Sequence, residues 1–440
     1  MLQKKNRLQF QTLGCSKNKV DTEHILSQVT DMYDIIPEGE DVKVDVLLIN
    51  TCGFIGDAKE ESVQAVLEAV ERKKRGDVSK IVVFGCLSQR YANELPELIP
   101  EVDSWFGARD LAPVIKELGV EPTSISNRYL TGPSHYAYLK ISEGCDRRCS
   151  YCAIPFIRVA HKSVPMEVLV KEAQSLAASG VKELIIIAQD TTYYGLDLYR
   201  RRALAELLQK LSEVDGIEWI RIHYSYPAAF PEDVLEQMAE NPKVCRYMDI
   251  PLQHISDKVL ANMHRNVDGA WTRELISKMR ERVPGVVLRT TMIVGHPGEG
   301  KRDFNELLEF AQAARFERLG AFKYSEEEGT YGAENFKDSI SAKVKQERLD
   351  QLMTLQSGIS LDFNKSRVGS EVKVIVDDFT DGIFVCRSEF ESPEVDGEIL
   401  VRHDASALGD VDPYSLVGEF INVRITGADE YDLIAEITEI

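Results

Sequence analysis

The run Glu143-Gly144-Cys145-Asp146-Arg147-Arg148-Cys149-Ser150-Tyr151-Cys152-Ala153-Ile154-Pro155 places three cysteines in one short loop at the spacing C-x3-C-x2-C, directly after an apolar strand candidate at 138–142. A four-iron cluster has four metal corners and takes cysteine thiolates as its usual ligands. Three ligands from one loop leave one iron open for a substrate or cofactor. The alternative is a structural zinc site completed by His161, because zinc also takes Cys3His sets. Zinc sites more often pair their cysteines as two C-x2-4-C arms, which this loop does not do.

Outward from the loop, strand and helix patterns repeat. After 138–142, strands are predicted at 183–188, 218–224, 247–250, 286–294 and 318–324, with helical patterns in most gaps. Six parallel strands with crossover helices predict a partial (β/α)6 barrel whose site lies at the carboxyl ends of the strands. Residues just past those ends include Gln189, Asp190, Ser225, Gln253 and His254. Arg289, Thr290 and Thr291 lie in the strand that leads to Gly295-His296-Pro297-Gly298. As a set on one rim they suggest a polar cofactor pocket. His254 alone fits a ligand contact and a satisfied hydrogen-bonding residue equally well.

The first 120 residues carry the βαβ signature of an open parallel sheet, with strands predicted at 8–13, 45–50 and 80–84 and an amphipathic helix at 57–74. Each strand ends beside a cysteine next to a glycine: Gly14-Cys15, Cys52-Gly53 and Gly85-Cys86. Ligands of open α/β sheets bind at the strand carboxyl ends, so these three cysteines are expected to converge. Three buried structural thiols are the plain alternative. A Pro/Gly/Ser-containing linker at 121–134 separates this region from the barrel. A long helix is predicted at 341–365. Short alternating strands at 371–376, 382–386, 397–402, 419–426 and 433–436 then predict a small five-stranded β-barrel. The expected domains are therefore 1–125, 131–365 and 366–440.

Composition bounds the function. The net charge of −20 opposes binding to a phosphate backbone and fits either a basic partner or an acidic surface that only keeps the protein soluble. Residues 366–440 hold 18 Asp/Glu against 5 Lys/Arg, a net of −13. Eight cysteines in 440 residues are too few for a disulfide scaffold, and in a reducing compartment clustered cysteines suggest metal binding or catalysis. The start of the chain lacks a signal-peptide pattern and no run of about 18 apolar residues occurs, so a cytoplasmic, membrane-free protein is expected.

The cysteine loop, with Tyr151 before its third cysteine, resembles the signature of radical S-adenosylmethionine (SAM) enzymes. The whole chain resembles the methylthiotransferases, through LGCSKNKVDTE around Cys15, NTCGFI around Cys52, GCLSQRY around Cys86, EGCDRRCSYCAIP and PLQHISDKVL. The resemblance implies an N-terminal cluster domain, a radical SAM barrel and a C-terminal TRAM-like barrel. It implies two [4Fe-4S] clusters, one on Cys145, Cys149 and Cys152 that binds SAM, the other on Cys15, Cys52 and Cys86 that handles sulfur. Tyr151, Gln189, Ser225 and Arg289 become expected SAM contacts, and no catalytic residue beyond the cluster ligands is assigned. Cys245 and Cys386 match no ligand position of the family.

Within the family, one type modifies an aspartate of small-subunit ribosomal protein uS12 and another a tRNA adenosine. Ser16-Lys17-Asn18, where the tRNA enzymes tend to have Gln-Met-Asn, resembles the first type, as does the acidic run Tyr324 to Thr330. The acidic C-terminal barrel would repel RNA and attract a basic ribosomal protein. The expected activity is methylthiolation at the β-carbon of a uS12 aspartate, with nucleic acid excluded as the main target and a separate electron donor and sulfur donor required. A tRNA enzyme and a non-enzymatic, ribosome-associated metal module are the alternatives. The chain departs from the family pattern at Val159, Ala160 and Val164, which replace a Gly-Arg pair and a second Arg, and at His296 and Gly300, which replace an aromatic residue and a threonine.

Overall fold

The computed structural model describes residues 5–123, 127–402 and 411–439, so 124–126 of the expected linker and 403–410 of the expected C-terminal domain lie outside the described residues. Five parallel strands form the first sheet: β1 (Asn6–Thr12), β2 (Tyr33–Ile36), β3 (Val44–Thr51), β4 (Val78–Gly85) and β5 (Ser104–Trp105), in the order β2-β1-β3-β4-β5. The central β3, VDVLLINT, is buried at every residue but Asp45. Such a continuous apolar run marks a parallel strand covered on both faces. The helix α1 (Ser16–Val29) packs near one face and α2 (Gly56–Arg75) near the other. In α2, Asp57 occupies the first turn and Arg72, Lys73, Lys74 and Arg75 the last, which complements the helix dipole, and Gly76 at φ +81° terminates it. The sequence predicts only β1, β3 and β4 here. The edge strands have four and two residues and no fully buried run, so nothing apolar announces them.

The second sheet has the six parallel strands expected. They are β6 (Tyr136–Lys140), β9 (Glu183–Ile187), β10 (Trp219–Ile222), β11 (Val244–Asp249), β12 (Val287–Val294) and β13 (Arg318–Lys323), in the order β13-β12-β11-β10-β9-β6. A two-stranded ribbon, β7 (Ser142–Glu143) with β8 (Lys162–Ser163), brackets the cysteine loop. The single strand predicted at 138–142 therefore breaks after Lys140, where the chain turns into this ribbon. In β9, Leu184 and Ile186 join the core beneath the helices, while Ile185 and Ile187 pack on the other face with Val20, Tyr136 and Tyr138. The open sheet thus has N-terminal side chains against its inner face.

The third sheet is a closed barrel of β14 (Glu371–Thr380), β15 (Ile383–Arg387), β16 (Ile399–Arg402), β17 (Phe420–Ala428) and β18 (Leu433–Glu439). Its pairs are antiparallel except β16 with β18. The loop between β15 and β16 reaches into the six-stranded sheet. Ser392 Oγ lies 2.8 Å from His223 Nε2, and Asp396 accepts from the Tyr247 hydroxyl at 2.6 Å. Glu183 of β9 receives both Arg221 at 2.7 Å and Arg387 at 2.9 Å. Burial of charges is sustained only when they are paired in this way. Among the described residues no helix is long and apolar enough to cross a membrane.

Candidate functional site

The three dispersed cysteines meet at the carboxyl edge of the first sheet. Cys15 caps the start of α1, Cys52 follows β3, and Cys86 opens the short helix α3 (Cys86–Arg90) after β4. Two glycines bring their loops into contact. A Cβ on Gly14, which sits at φ +95°, would lie 2.7 Å from Cys52 Cβ and 2.9 Å from its sulfur. A Cβ on Gly53 would lie 2.8 Å from the Leu87 backbone and 2.9 Å from the Cys86 carbonyl carbon. Only residues without a side chain allow so close an approach. Ser62 of α2 pins Cys52 by accepting from its N–H at 2.9 Å and donating to its carbonyl at 3.0 Å. Asn18 ties the loops together, donating to Leu13 O at 2.9 Å and Thr51 O at 3.2 Å.

Cys86 has a buried cation beside it. Arg158 Nη2 donates to Cys86 Sγ at 3.3 Å and to Asn18 Oδ1 at 2.8 Å. Its Nη1 donates to Asp21 at 3.0 Å and to Glu143 at 3.3 Å. Lys140 adds a second cation, paired with Asp21 and, at 2.9 Å, with Glu143. Burial pushes the Cys86 thiol up to about 11, with the Arg158 guanidinium pulling the other way. Burial also raises Cys52. Metal ligation requires the thiolates, so a cationic neighbour lowers the cost of forming them.

The local triad is built differently. Cys145, Cys149 and Cys152 are all half-buried on the loop between β7 and β8. The Cys145 N–H donates to Val159 O at 3.3 Å, and Arg147 N–H donates to Cys145 Sγ at 3.4 Å. Burial, then the proximity of the other thiols, raises Cys152, and burial pushes Cys145 up to about 12. Arg265, buried, donates to Cys149 Sγ at 3.5 Å, to the Tyr151 hydroxyl at 3.4 Å and to Pro251 O at 2.5 Å. Its guanidinium lies 4.2 Å from the Tyr226 ring, with Arg147 at 4.0 Å from the same ring. No carboxylate pairs with Arg265 among the described residues.

Glu143 joins the two triads. One of its oxygens receives Arg158 and Lys140; the other receives Gly144 N–H at 3.1 Å and Gln189 Nε2 at 3.3 Å. Asp21, Arg158 and Glu143 therefore run from Cys86 to the residue two before Cys145.

The donor chemistry fits iron–sulfur ligation in both places: three sulfurs gathered, hydrogen-bond donors aimed at them, a cation beside each set. Among the described residues no three His, Cys, Asp or Glu groups are set to hold a single metal ion. A cubane spreads its ligands over separate irons and needs no such arrangement. His161 is engaged elsewhere, 3.0 Å from Ser163 Oγ and edge-on to the Tyr193 ring at 4.9 Å.

Of the other expected contacts, Tyr151 lies in the cysteine loop with its hydroxyl beside Arg265. Gln189 Oε1 and Ser225 Oγ are buried without a hydrogen-bond partner. Buried polar atoms are seldom left so, and orphaned acceptors and donors at the strand ends suit a polar ligand. Arg289 is the third residue of β12, and its guanidinium is held by Asp249 at 2.9 Å and Asp396 at 3.6 Å. His254 is fully buried; its Nδ1 accepts from Ser256 N–H at 3.0 Å and burial lowers it to about 3. Arg158, Arg265 and Glu143 are the residues that sequence reasoning missed.

The departures from the family pattern have physical readings. Val159 meets the cysteine loop through its carbonyl, and Val164 binds Ile141 and Tyr194 through its backbone, so their side chains are not what the loop uses. His296 keeps a ring in an aromatic cluster, 5.0 Å from Tyr324 and 6.0 Å from Phe336. Gly300 caps the helix Lys301–Ala314, its N–H donating to Asp303 at 2.8 Å. The acidic run 325–330 is not all displayed. Glu327 is 2% exposed and receives Lys59 at 2.8 Å and Arg90 at 2.9 Å.

Comparison with known proteins gives three family matches: the uncharacterized protein family UPF0004 at residues 7–107, the radical SAM superfamily at 139–311 and the TRAM domain at 368–438. The ribosomal protein uS12 methylthiotransferase RimO of Bacteroides thetaiotaomicron is 49% identical over 437 residues, covering 99% of each chain. That of Porphyromonas gingivalis is 49% identical over 439 residues, covering 99% of this chain and 100% of the relative. Among solved structures, the radical SAM methyltransferase TsrM of Kitasatospora setae, with cobalamin and a [4Fe-4S] cluster bound, matches with a TM-score of 0.55 at 13% identity, over 86% of this chain and 80% of that one. At that identity the likeness is one of fold.

Proposed function

The chain belongs to the RimO family of ribosomal protein uS12 methylthiotransferases, and from that premise we propose that it adds a methylthio group to the β-carbon of an aspartate in uS12. Its cofactors are SAM and [4Fe-4S] clusters. We assign one cluster to Cys145, Cys149 and Cys152 and the other to Cys15, Cys52 and Cys86. The chain divides, in this reading, into a cluster domain at 1–125, a radical SAM barrel at 131–365 and a TRAM domain at 366–440. When bound, the first cluster with SAM supplies one-electron chemistry that removes hydrogen from carbon, and the second supplies sulfur.

The residues of the chain have separate tasks. Arg265 and Arg158 each hold a positive charge against one cysteine sulfur, which favours the anionic form that ligation needs. Glu143 and Asp21 fix Arg158 and Lys140 and so hold the two triads in one register. Gln189, Ser225 and Tyr151 offer polar contacts for SAM. The electron donor and the sulfur donor lie outside the chain. In this reading the enzyme works in the cytoplasm, where its ribosomal substrate is made.

The observation that carries the reading is the 49% identity over 437 residues with a uS12 methylthiotransferase, beside two sets of three cysteines joined through Asp21, Arg158 and Glu143. Deleting the gene and measuring both products by mass spectrometry tests it. The uS12 protein should lose the mass of one methylthio substitution while tRNA methylthioadenosine is unchanged. Loss of the tRNA modification with uS12 unaltered would overturn the assignment in favour of a tRNA enzyme.

A further inference from the structure

Lys17 is a buried cation that the reaction scheme above leaves without a task. It stands on the first turn of α1, two residues after Cys15, and is 9% exposed. Its Nζ lies 3.3 Å from the centroid of the Tyr224 ring. Among the described residues Nζ forms no hydrogen bond or ion pair, whereas Lys19 pairs with Glu394 at 3.4 Å and Lys140 with two carboxylates. A cation over an aromatic face is attracted by the negative face of the ring. The ring covers one side of an ammonium that carries three donors, and no hydrogen-bond acceptor meets them among the described residues. The location therefore calls for an anion.

Tyr224 is a fixed platform. It adopts φ +58°, a left-handed backbone uncommon for an aromatic residue. Its N–H donates to Asp249 at 2.9 Å and its carbonyl accepts from Thr191 N–H at 3.1 Å, which holds that conformation. Tyr224 lies past the end of β10, next to Ser225 with its unpartnered hydroxyl. Lys17 comes from the loop of Cys15 and reaches the rim of the barrel that carries Cys145, Cys149 and Cys152. The ammonium thus links the loop of one triad to the rim of the barrel that carries the other.

We propose that Lys17, with the Tyr224 ring as its floor, binds the side-chain carboxylate of the target aspartate and selects aspartate over its amide. This rests on the uS12 reading above. In aspartate the β-carbon is bonded directly to the carboxylate carbon, so anchoring the carboxylate fixes the reacting carbon to within one bond. An ammonium in this place has nothing equivalent to hold on the neutral base of a tRNA adenosine.

Binding without turnover tests the proposal. Reconstituted full-length enzyme, without reductant, is titrated with labelled uS12 and with uS12 in which the target aspartate is asparagine. A charge-assisted contact is worth roughly 1.5–3 kcal/mol, so the natural protein should bind about 10- to 100-fold more tightly than the asparagine form. Lys17→Gln should bind both forms equally, and Lys17→Arg should restore part of the preference. Iron content and circular dichroism verify that each variant is folded and loaded. Equal binding of the two forms by the unaltered enzyme, or a preference that survives Lys17→Gln, would overturn the carboxylate subsite. An unaltered enzyme that neither binds nor modifies uS12 would instead remove the substrate assignment, and the subsite with it.

Discussion

The two cysteine triads reach similar chemistry by opposite routes. Cys145, Cys149 and Cys152 are neighbours in sequence and share one loop, held by short-range contacts such as Arg147 N–H to Cys145 Sγ. Cys15, Cys52 and Cys86 are gathered from three strand ends and meet because Gly14 and Gly53 let their loops touch. The first set is brought together by its own loop, with Arg265 added from a distance, whereas the second is gathered only when the β1-β3-β4 register is formed.

The cations beside them differ as well. Arg158 beside Cys86 is compensated by Asp21 and Glu143, while Arg265 beside Cys149 has no carboxylate partner among the described residues and is flanked by Tyr151 and Tyr226. Hydrogen bonds to sulfur and net local charge set cluster potentials. The uncompensated Arg265 should therefore raise the potential of its cluster more than Arg158 raises that of the other.

The largest difference expected is in stability. Arg158→Gln breaks a buried pair and leaves Asp21 and Glu143 with Lys140 alone, at a cost of about 3–5 kcal/mol in denaturant unfolding of the cluster-free protein. Arg265→Gln removes a charge that pairs with no carboxylate among the described residues and should cost less. Equal losses in the two variants would erase the distinction. Electrochemical titration sharpens it from the other side: Arg265→Gln should lower the potential of the cluster on Cys145, Cys149 and Cys152, and Arg158→Gln should move the other cluster by a smaller amount.

A smaller effect is expected where Glu327 clasps the loop of Cys52 to the barrel. Arg90 joins Glu327 at 2.9 Å and Gly53 O at 2.9 Å. Burial raises the Glu327 carboxyl, but hydrogen bonds from Lys59, Ser325 and Arg90 outweigh it and hold the group below its ordinary 4.5. A carboxyl held low in the folded state contributes stability that is present above pH 4.5 and is lost as pH falls through its lower folded value. Glu327→Gln should cost about 1–2 kcal/mol at neutral pH, and the difference from the unaltered protein should shrink on acidification below pH 4.5. A constant difference across that range would mean that the clasp is steric and not ionic.

Much of this was legible in the sequence, and the gaps have physical causes. Each of the six barrel strands carries an apolar run that the pattern reveals, and the C-terminal barrel shows the alternation of inward and outward residues. Strand β2 and the ribbon at Ser142–Glu143 and Lys162–Ser163 are too short for any period to appear. Arg158 and Arg265 read as ordinary loop arginines, because nothing local marks a guanidinium that will lie against a sulfur brought from elsewhere. Charge counting also misleads where carboxylates turn inward. Glu327 faces Lys59 and Arg90, and within the acidic C-terminal segment Glu391 binds Arg318 and Arg367 while Asp377 binds His135 and Arg387. The net of −13 in that segment therefore overstates what it presents to a partner.

Iron content and SAM cleavage, measured together in two triple variants, bear most directly on the division of labour between the triads. The unaltered enzyme should hold about eight irons per chain after anaerobic reconstitution, and each triple alanine variant about four. With Cys15, Cys52 and Cys86 replaced, SAM should still be cleaved under reductant while uS12 stays unmodified; with Cys145, Cys149 and Cys152 replaced, cleavage should vanish. A stable content near four irons in the unaltered enzyme, unchanged when Cys15, Cys52 and Cys86 become alanine, would contradict the two-site account.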